Sequence, residues 1–129
     1  MTQRQTPAND LRPRVRVSQA AVVLADTLVA VLHATSTGRT ARLCKLWVYN
    51  GNGTVSVVEI GTGVAAAAAL TAERYPRMRV EPTLWDTIPE DAMPKFEFNV
   101  SQNICVRSSV GGAGAAAVRV MAEVEEIGL

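Results

Sequence analysis

Apolar residues recur along this chain in runs of strand length, each closed by Gly, Asn, Ser or Pro. The runs cover 21–32, 41–49, 54–60, 77–81, 95–100, 104–108 and 116–127. Several alternate with a period of two. Met78 and Val80 oppose Arg77, Arg79 and Glu81, while Phe96, Phe98 and Val100 oppose Lys95, Glu97 and Asn99. Such alternation turns one face toward a core and the other toward water. Val118, Val120, Ala122 and Val124, set against Arg119, Met121, Glu123 and Glu125, give a long amphipathic closing strand.

The connections carry their own signals. Asn50-Gly51-Asn52-Gly53 between two β-branched runs predicts a tight hairpin, because Asn and Gly accept positive φ. Ser36–Arg39 and Gly111–Gly114 predict two further antiparallel turns. Residues 63–74, with five consecutive alanines at 65–69, predict a short helix or an irregular loop. Pro76, Pro82, Pro89 and Pro94 make their stretch mainly loop with one short edge strand. Within it Trp85 is expected to plug an end of the core. The whole reads as a mainly all-β chain: an antiparallel β-sandwich of seven or eight strands, jelly-roll-like. An extended N-terminal arm is expected over 1–16, the sandwich over 17–129, and one Ala-rich helix or loop insert.

Composition fits one domain. The chain has 129 residues, with 19 Ala and 18 Val but six aromatics, so small and β-branched groups must fill the core. A net charge of +1 supplies no field for a polyanion, and the basic cluster of Arg74, Arg77 and Arg79 has Tyr75 alone for base stacking. Direct nucleic-acid binding is therefore not expected. No stretch approaches the roughly 20 apolar residues of a membrane span, and the N-terminus has no signal-peptide core. The chain is expected to be made in the cytoplasm, without a membrane partner.

Candidate chemistry is sparse. His33, the single histidine, ends an apolar run and is expected to face solvent or a neighbour. Cys44 and Cys105 stand 61 residues apart without a CxxC pair, which argues against zinc, and no orienting motif supports a Cys–His dyad. Gly61-Thr62-Gly63 lacks the further glycine and the Lys-Ser/Thr pair of a phosphate loop. Glu90 and Asp91 sit in the proline-rich stretch and read as solvated. No catalytic, cofactor-binding or metal-ligating residue is assigned, and the chain is expected not to be an enzyme.

The two ends differ in sign. Arg4, Arg12, Arg14 and Arg16 face Asp10 alone, whereas Glu123, Glu125 and Glu126 cluster at the other end. Both ends are either solvated, or the basic arm docks on an acidic edge of a neighbour. Leu11, Arg12, Arg14, Val15, Arg16 and Val17 are the candidate partner-binding residues. Lysine occurs only at Lys45 and Lys95, so sheet edges are thinly guarded, and a homo-oligomer of three-fold or higher symmetry is expected.

The succession RLCKLWVYNGNGTVSVVEIGTG, then IPEDAMPKFEF, then NICVRSSVGGAGAAAVRVMAEVEEI resembles the small β-sandwich structural proteins of tailed bacteriophage virions. That resemblance implies a non-enzymatic capsid decoration or cement protein, located in the virion. Its partners would be copies of itself and the major capsid or another virion protein. The alternative is a carbohydrate- or receptor-binding module of a phage tail, with Tyr75 and Trp85 stacking on the ligand.

Overall fold

The computed structural model describes residues 11–95 and 97–128. Among these residues there are nine strands: β1 (Arg14–Leu24), β2 (Ala30–His33), β3 (Thr40–Asn50), β4 (Ser56–Thr62), β5 (Ala72–Glu73), β6 (Met78–Val80), β7 (Trp85–Ile88), β8 (Ile104–Ser108) and β9 (Val118–Ile127). Their pairing is nested. β1 lies against β9, β2 against β8, β3 against β7 and β4 against β6, all antiparallel. This is one long hairpin folded on itself. Lateral pairing of β3 with β9 and of β4 with β8 rolls it up. The first sheet runs β1-β9-β3-β7 and the second β2-β8-β4-β5, with β6 beside β5 on the same edge of β4. The chain is an all-β sandwich wired as a jelly roll.

Alternation decides which side chains meet between the sheets. From the first sheet come Leu43, Leu46 and Val48 of β3 with Val118, Val120, Ala122 and Val124 of β9. From the second come Val58, Ile60, Val80, Ile104 and Val106. These groups are mostly small or β-branched, as the composition requires, and Tyr75 and Phe98 are buried in the same core.

Several local expectations change. The 21–32 run does not form one strand: β1 ends at Leu24, Asp26 Oδ1 accepts the Leu28 N–H, and the chain re-enters as β2 in the other sheet. The Asn-Gly segment is not a hairpin but an arch from β3 in the first sheet to β4 in the second. Neither of its glycines takes positive φ. Side chains hold it instead: buried Asn50 donates to the Thr54 and Val80 carbonyls, and Asn52 donates to the Gly111 and Ala116 carbonyls. Gly51 is required because a Cβ there would lie 2.1 Å from the Ala115 carbonyl oxygen. The expected turns at 36–39 and 111–114 likewise cross between sheets. In a rolled hairpin each of these connections is an arch.

The Ala-rich stretch is loop, tied by two backbone bonds between Val29 and residues Ala66 and Ala67. The expected strand at 95–100 is absent among the described residues. Phe98 is nonetheless buried and its N–H donates to the Ala41 carbonyl. In its place the proline-rich stretch supplies β7, and Trp85 stands on that strand largely exposed rather than plugging the core. The boundary expected after residue 16 falls inside β1. Residues 1–10 of the expected arm and Phe96 lie outside the described residues.

Candidate functional site

The candidate docking residues precede or open β1, and register explains what their charges do. Arg12 forms a bidentate pair with Glu97, at 3.0 and 2.6 Å. Arg14 donates to Glu125 (2.8 Å), which also accepts from Arg42 (3.1 Å). Arg16 bridges Glu123 (2.7 Å) and Glu90 (2.9 and 3.0 Å). The basic start therefore meets the acidic end of its own chain. Neither solvated ends nor a neighbour's acidic edge is needed to account for these charges. The apolar members behave differently: Leu11 is 93% and Val15 46% exposed, with Val17 half-buried.

The expected orientation of His33 is also overturned. It is buried between the sheets, where Nε2 lies 2.6 Å from Glu126 Oε2 and Nδ1 2.5 Å from Gln19 Nε2. An amide nitrogen only donates, so Nδ1 accepts and the ring proton sits on Nε2, donating to the carboxylate. Burial pushes the Glu126 carboxyl up, but hydrogen bonds from Ser36 and His33 outweigh it and hold the group below its ordinary value. Gln19, His33 and Glu126 come from β1, β2 and β9, so the cluster joins the two sheets at their first edge.

Cys44 and Cys105 are free buried thiols, and burial raises both above the usual thiol value. Neither joins His33. Cys105 donates weakly to the Gly63 carbonyl and Cys44 to that of Arg42. Among the described residues no three His, Cys, Asp or Glu side chains gather into a metal-holding group. Where the sheets part between β6 and β7 there is a cavity of about 330 Å³, lined by Leu43, Leu46, Ile60, Met78, Ile88 and Met93. Arg77 and Arg79 stand at its mouth, each already paired, with Glu73 and Glu81 respectively.

The outer face of the first sheet is the most distinctive surface. Cross-strand register sets its rows. One row reads Val23, Arg119, Tyr49, Trp85; the next continues through Met121, Trp47 and Thr87; a third holds Ser18, Glu123 and Lys45. Both tryptophans and one of the two tyrosines thus share one face. The Tyr49 and Trp85 rings lie 5.0 Å apart and tilted by 42°, with Trp85 58% exposed, and Lys45 Nζ sits 5.1 Å above the Trp47 ring. Tyr75, the partner expected for Trp85, is instead buried against Phe98. The bulge between Leu43 and Lys45 turns Trp47 and Tyr49 away from the core, a phase shift that the sequence pattern does not show, and β7 brings Trp85 beside them.

Among the described residues no helix is long and apolar enough to cross a membrane. Compared with known proteins, the chain matches no family model and no curated sequence.

Proposed function

We propose that this chain is a non-enzymatic structural protein of a virion, a capsid decoration or cement protein that attaches to its neighbours through the β1 edge. The observation that carries the reading is an asymmetry among the sheet edges. On β7 the Asp86 carboxylate accepts the Thr87 N–H at 2.9 Å, which occupies a donor that an added strand would use. The edge formed by β5 and β6 is two short pieces flanked by Pro76 and Pro82. β1 is 11 residues long, pairs only with β9 among the described strands, and carries exposed Val15 and Val23, with Leu11 just before it. Its one interruption is the bulge between Gln19 and Val22. A long, apolar edge of this kind is where another chain adds, and its apolar groups would anchor the contact. The arginines beside it, tied to the chain's own carboxylates, leave its apolar groups as the contact points for a neighbour.

Mass spectrometry of purified particles from the virus that encodes the chain tests the location, and fixed stoichiometry with the shell protein is expected. Sedimentation of the labelled chain with shells stripped of it then tests the surface. Val15→Arg is expected to bind at least about tenfold more weakly, with its melting transition unchanged. Absence of the chain from particles overturns the location, and equal binding by Val15→Arg overturns the β1 edge.

A further inference from the structure

The geometry points to a binding site for an acidic polysaccharide on the outer face of the first sheet, built from Trp85, Tyr49, Lys45 and Arg119. The site lies away from the β1 edge and does not depend on attachment there. Exposed Trp85 and half-buried Tyr49 form a tilted ring pair on β7 and β3. Aromatic rings exposed on a flat strand surface offer apolar faces to the C–H faces of sugar rings, while leaving the ring hydroxyls free to bond. A hydroxyl partner is at hand in the same rows: exposed Thr87 beside Trp47.

Charge decides the class of sugar. Among the described residues neither Lys45 nor Arg119 has a carboxylate partner: Lys45 rests over Trp47, and Arg119 donates to the Gly114 carbonyl. Neither nearby acid offsets them. Glu123 is paired with Arg16, and Asp86, opposite core-facing Val48, lines the cavity on the other face of the sheet. The face therefore presents two cations without carboxylate partners, with Trp47 and Tyr49 along the span from one to the other and Trp85 beside Tyr49 on β7, within a chain of net charge +1. Lys45 and Tyr49 are four residues apart on β3, and Arg119 is Tyr49's neighbour on β9, so the Cα atoms of Lys45 and Arg119 stand about 14 Å apart. A polynucleotide has a charge on every residue and would lay phosphates over the rings between the cations. A polysaccharide with one carboxylate or sulfate every second or third sugar places its charges at the ends of that span and neutral rings on the aromatics.

The test titrates the full chain with alginate, heparin and polysialic acid, with dextran as the neutral polymer and oligo-dT as the polynucleotide. Both tryptophans lie on this face, so their fluorescence reports binding directly, and affinity electrophoresis checks it independently. At least one acidic polysaccharide is expected to bind about tenfold or more tighter than dextran and oligo-dT. Trp85→Ala should weaken that binding about tenfold or more. Lys45→Gln with Arg119→Gln should erase the preference over dextran. Should Trp85→Ala disturb the fold, Thr87→Glu places a negative charge on the same face at an exposed position and is expected to weaken binding as well. Failure of all three acidic polymers to bind overturns the inference, as do equal binding of dextran, tighter binding of oligo-dT, or indifference to these substitutions.

Discussion

Replacing Arg12 by alanine asks whether the stretch before β1 belongs to the folded sandwich. The guanidinium meets Glu97 through two parallel bonds, and the Thr40 hydroxyl donates to the same carboxylate at 2.8 Å. Both charged side chains are largely out of water, 16% and 8% exposed. Exposed ion pairs contribute up to about 1 kcal/mol, whereas removing one partner of a fully buried pair costs about 3–5 kcal/mol because the other charge is stranded. Bidentate geometry under shallow burial puts Arg12→Ala between these limits, at about 2–3 kcal/mol. At about 4 °C per kcal/mol for a domain of this size, calorimetry of the full chain at pH 7 should show a Tm lower by about 8–12 °C. Arg12→Lys keeps the charge but loses the fork and should fall between wild type and alanine. In a Glu97→Gln background the further loss on Arg12→Ala should shrink below about 1 kcal/mol, since no buried charge is then stranded. A Tm drop for Arg12→Ala no larger than that of Arg79→Ala, which removes an exposed pair with Glu81, would refute the assignment of Arg12 to the domain.

Three further outcomes follow from the same geometry. Gly51→Ala should destabilise by about 1–3 kcal/mol or more, because its Cβ collides with the Ala115 and Ala117 carbonyls, while Gly53→Ala, with open space around it, should be neutral; paired thermal melts check both. Glu126 is held below its ordinary value in the fold, so the stability it contributes is present above about pH 4.3 and lost as pH falls through the depressed value; Glu126→Gln should flatten the Tm-against-pH curve in that acid window. Cys44 and Cys105, buried and with raised thiol values, should resist iodoacetamide at pH 8 in the native protein and both react after denaturation, as mass spectrometry of the alkylated chain would show.

Alternation made the sandwich legible: in 118–124 the buried set is the one that period two selects, whereas in 41–49 the bulge between Leu43 and Lys45 shifts the phase, so that Ala41 and Leu43 and then Leu46 and Val48 are buried. Strand partners were less visible, because the local chemistry of Asn50-Gly51-Asn52-Gly53 is the same whether the chain folds back on one sheet or crosses to the other. What distinguishes the arch is contact with Val80, Gly111 and Ala116, distant in sequence. β7 was hidden for a similar reason. Trp85–Ile88 is flanked by Pro82 and Pro89, but at a sheet edge its backbone needs a partner on one side only, so nearby prolines do not exclude it. The sequence pattern alone sets His33 facing solvent or a neighbour and leaves Glu126 in an acidic end that is either solvated or docked on, because each is polar at the end of an apolar run. The pairing that makes their burial tolerable joins residues 93 apart. The docking arginines were found as a cluster, but their partners could be assigned only once β1 and β9 were seen to be neighbours.

That neighbour relation divides the outer face of the first sheet into two chemically different halves. Toward the chain ends, register sets Arg14, Arg16 and Arg42 among Glu90, Glu123 and Glu125, so charges cancel where they stand. Toward Trp85 no such cancellation occurs among the described residues: Lys45 rests over Trp47, Arg119 bonds the Gly114 carbonyl, and of the rings beside them Trp47 and Tyr49 are half-buried and Trp85 is exposed. Folding does not require this arrangement. Burying an aromatic side chain contributes about 2–3 kcal/mol, and the core is built mostly from Val, Leu, Ile and Ala, with Met78, Met93, Tyr75 and Phe98 beside them. Of five described aromatics, the fold buries Tyr75 and Phe98 and leaves Trp47, Tyr49 and Trp85 on the far side of the sheet. A chain with so few large rings forgoes stability by holding three of them outside, and the benefit falls to whatever those rings contact.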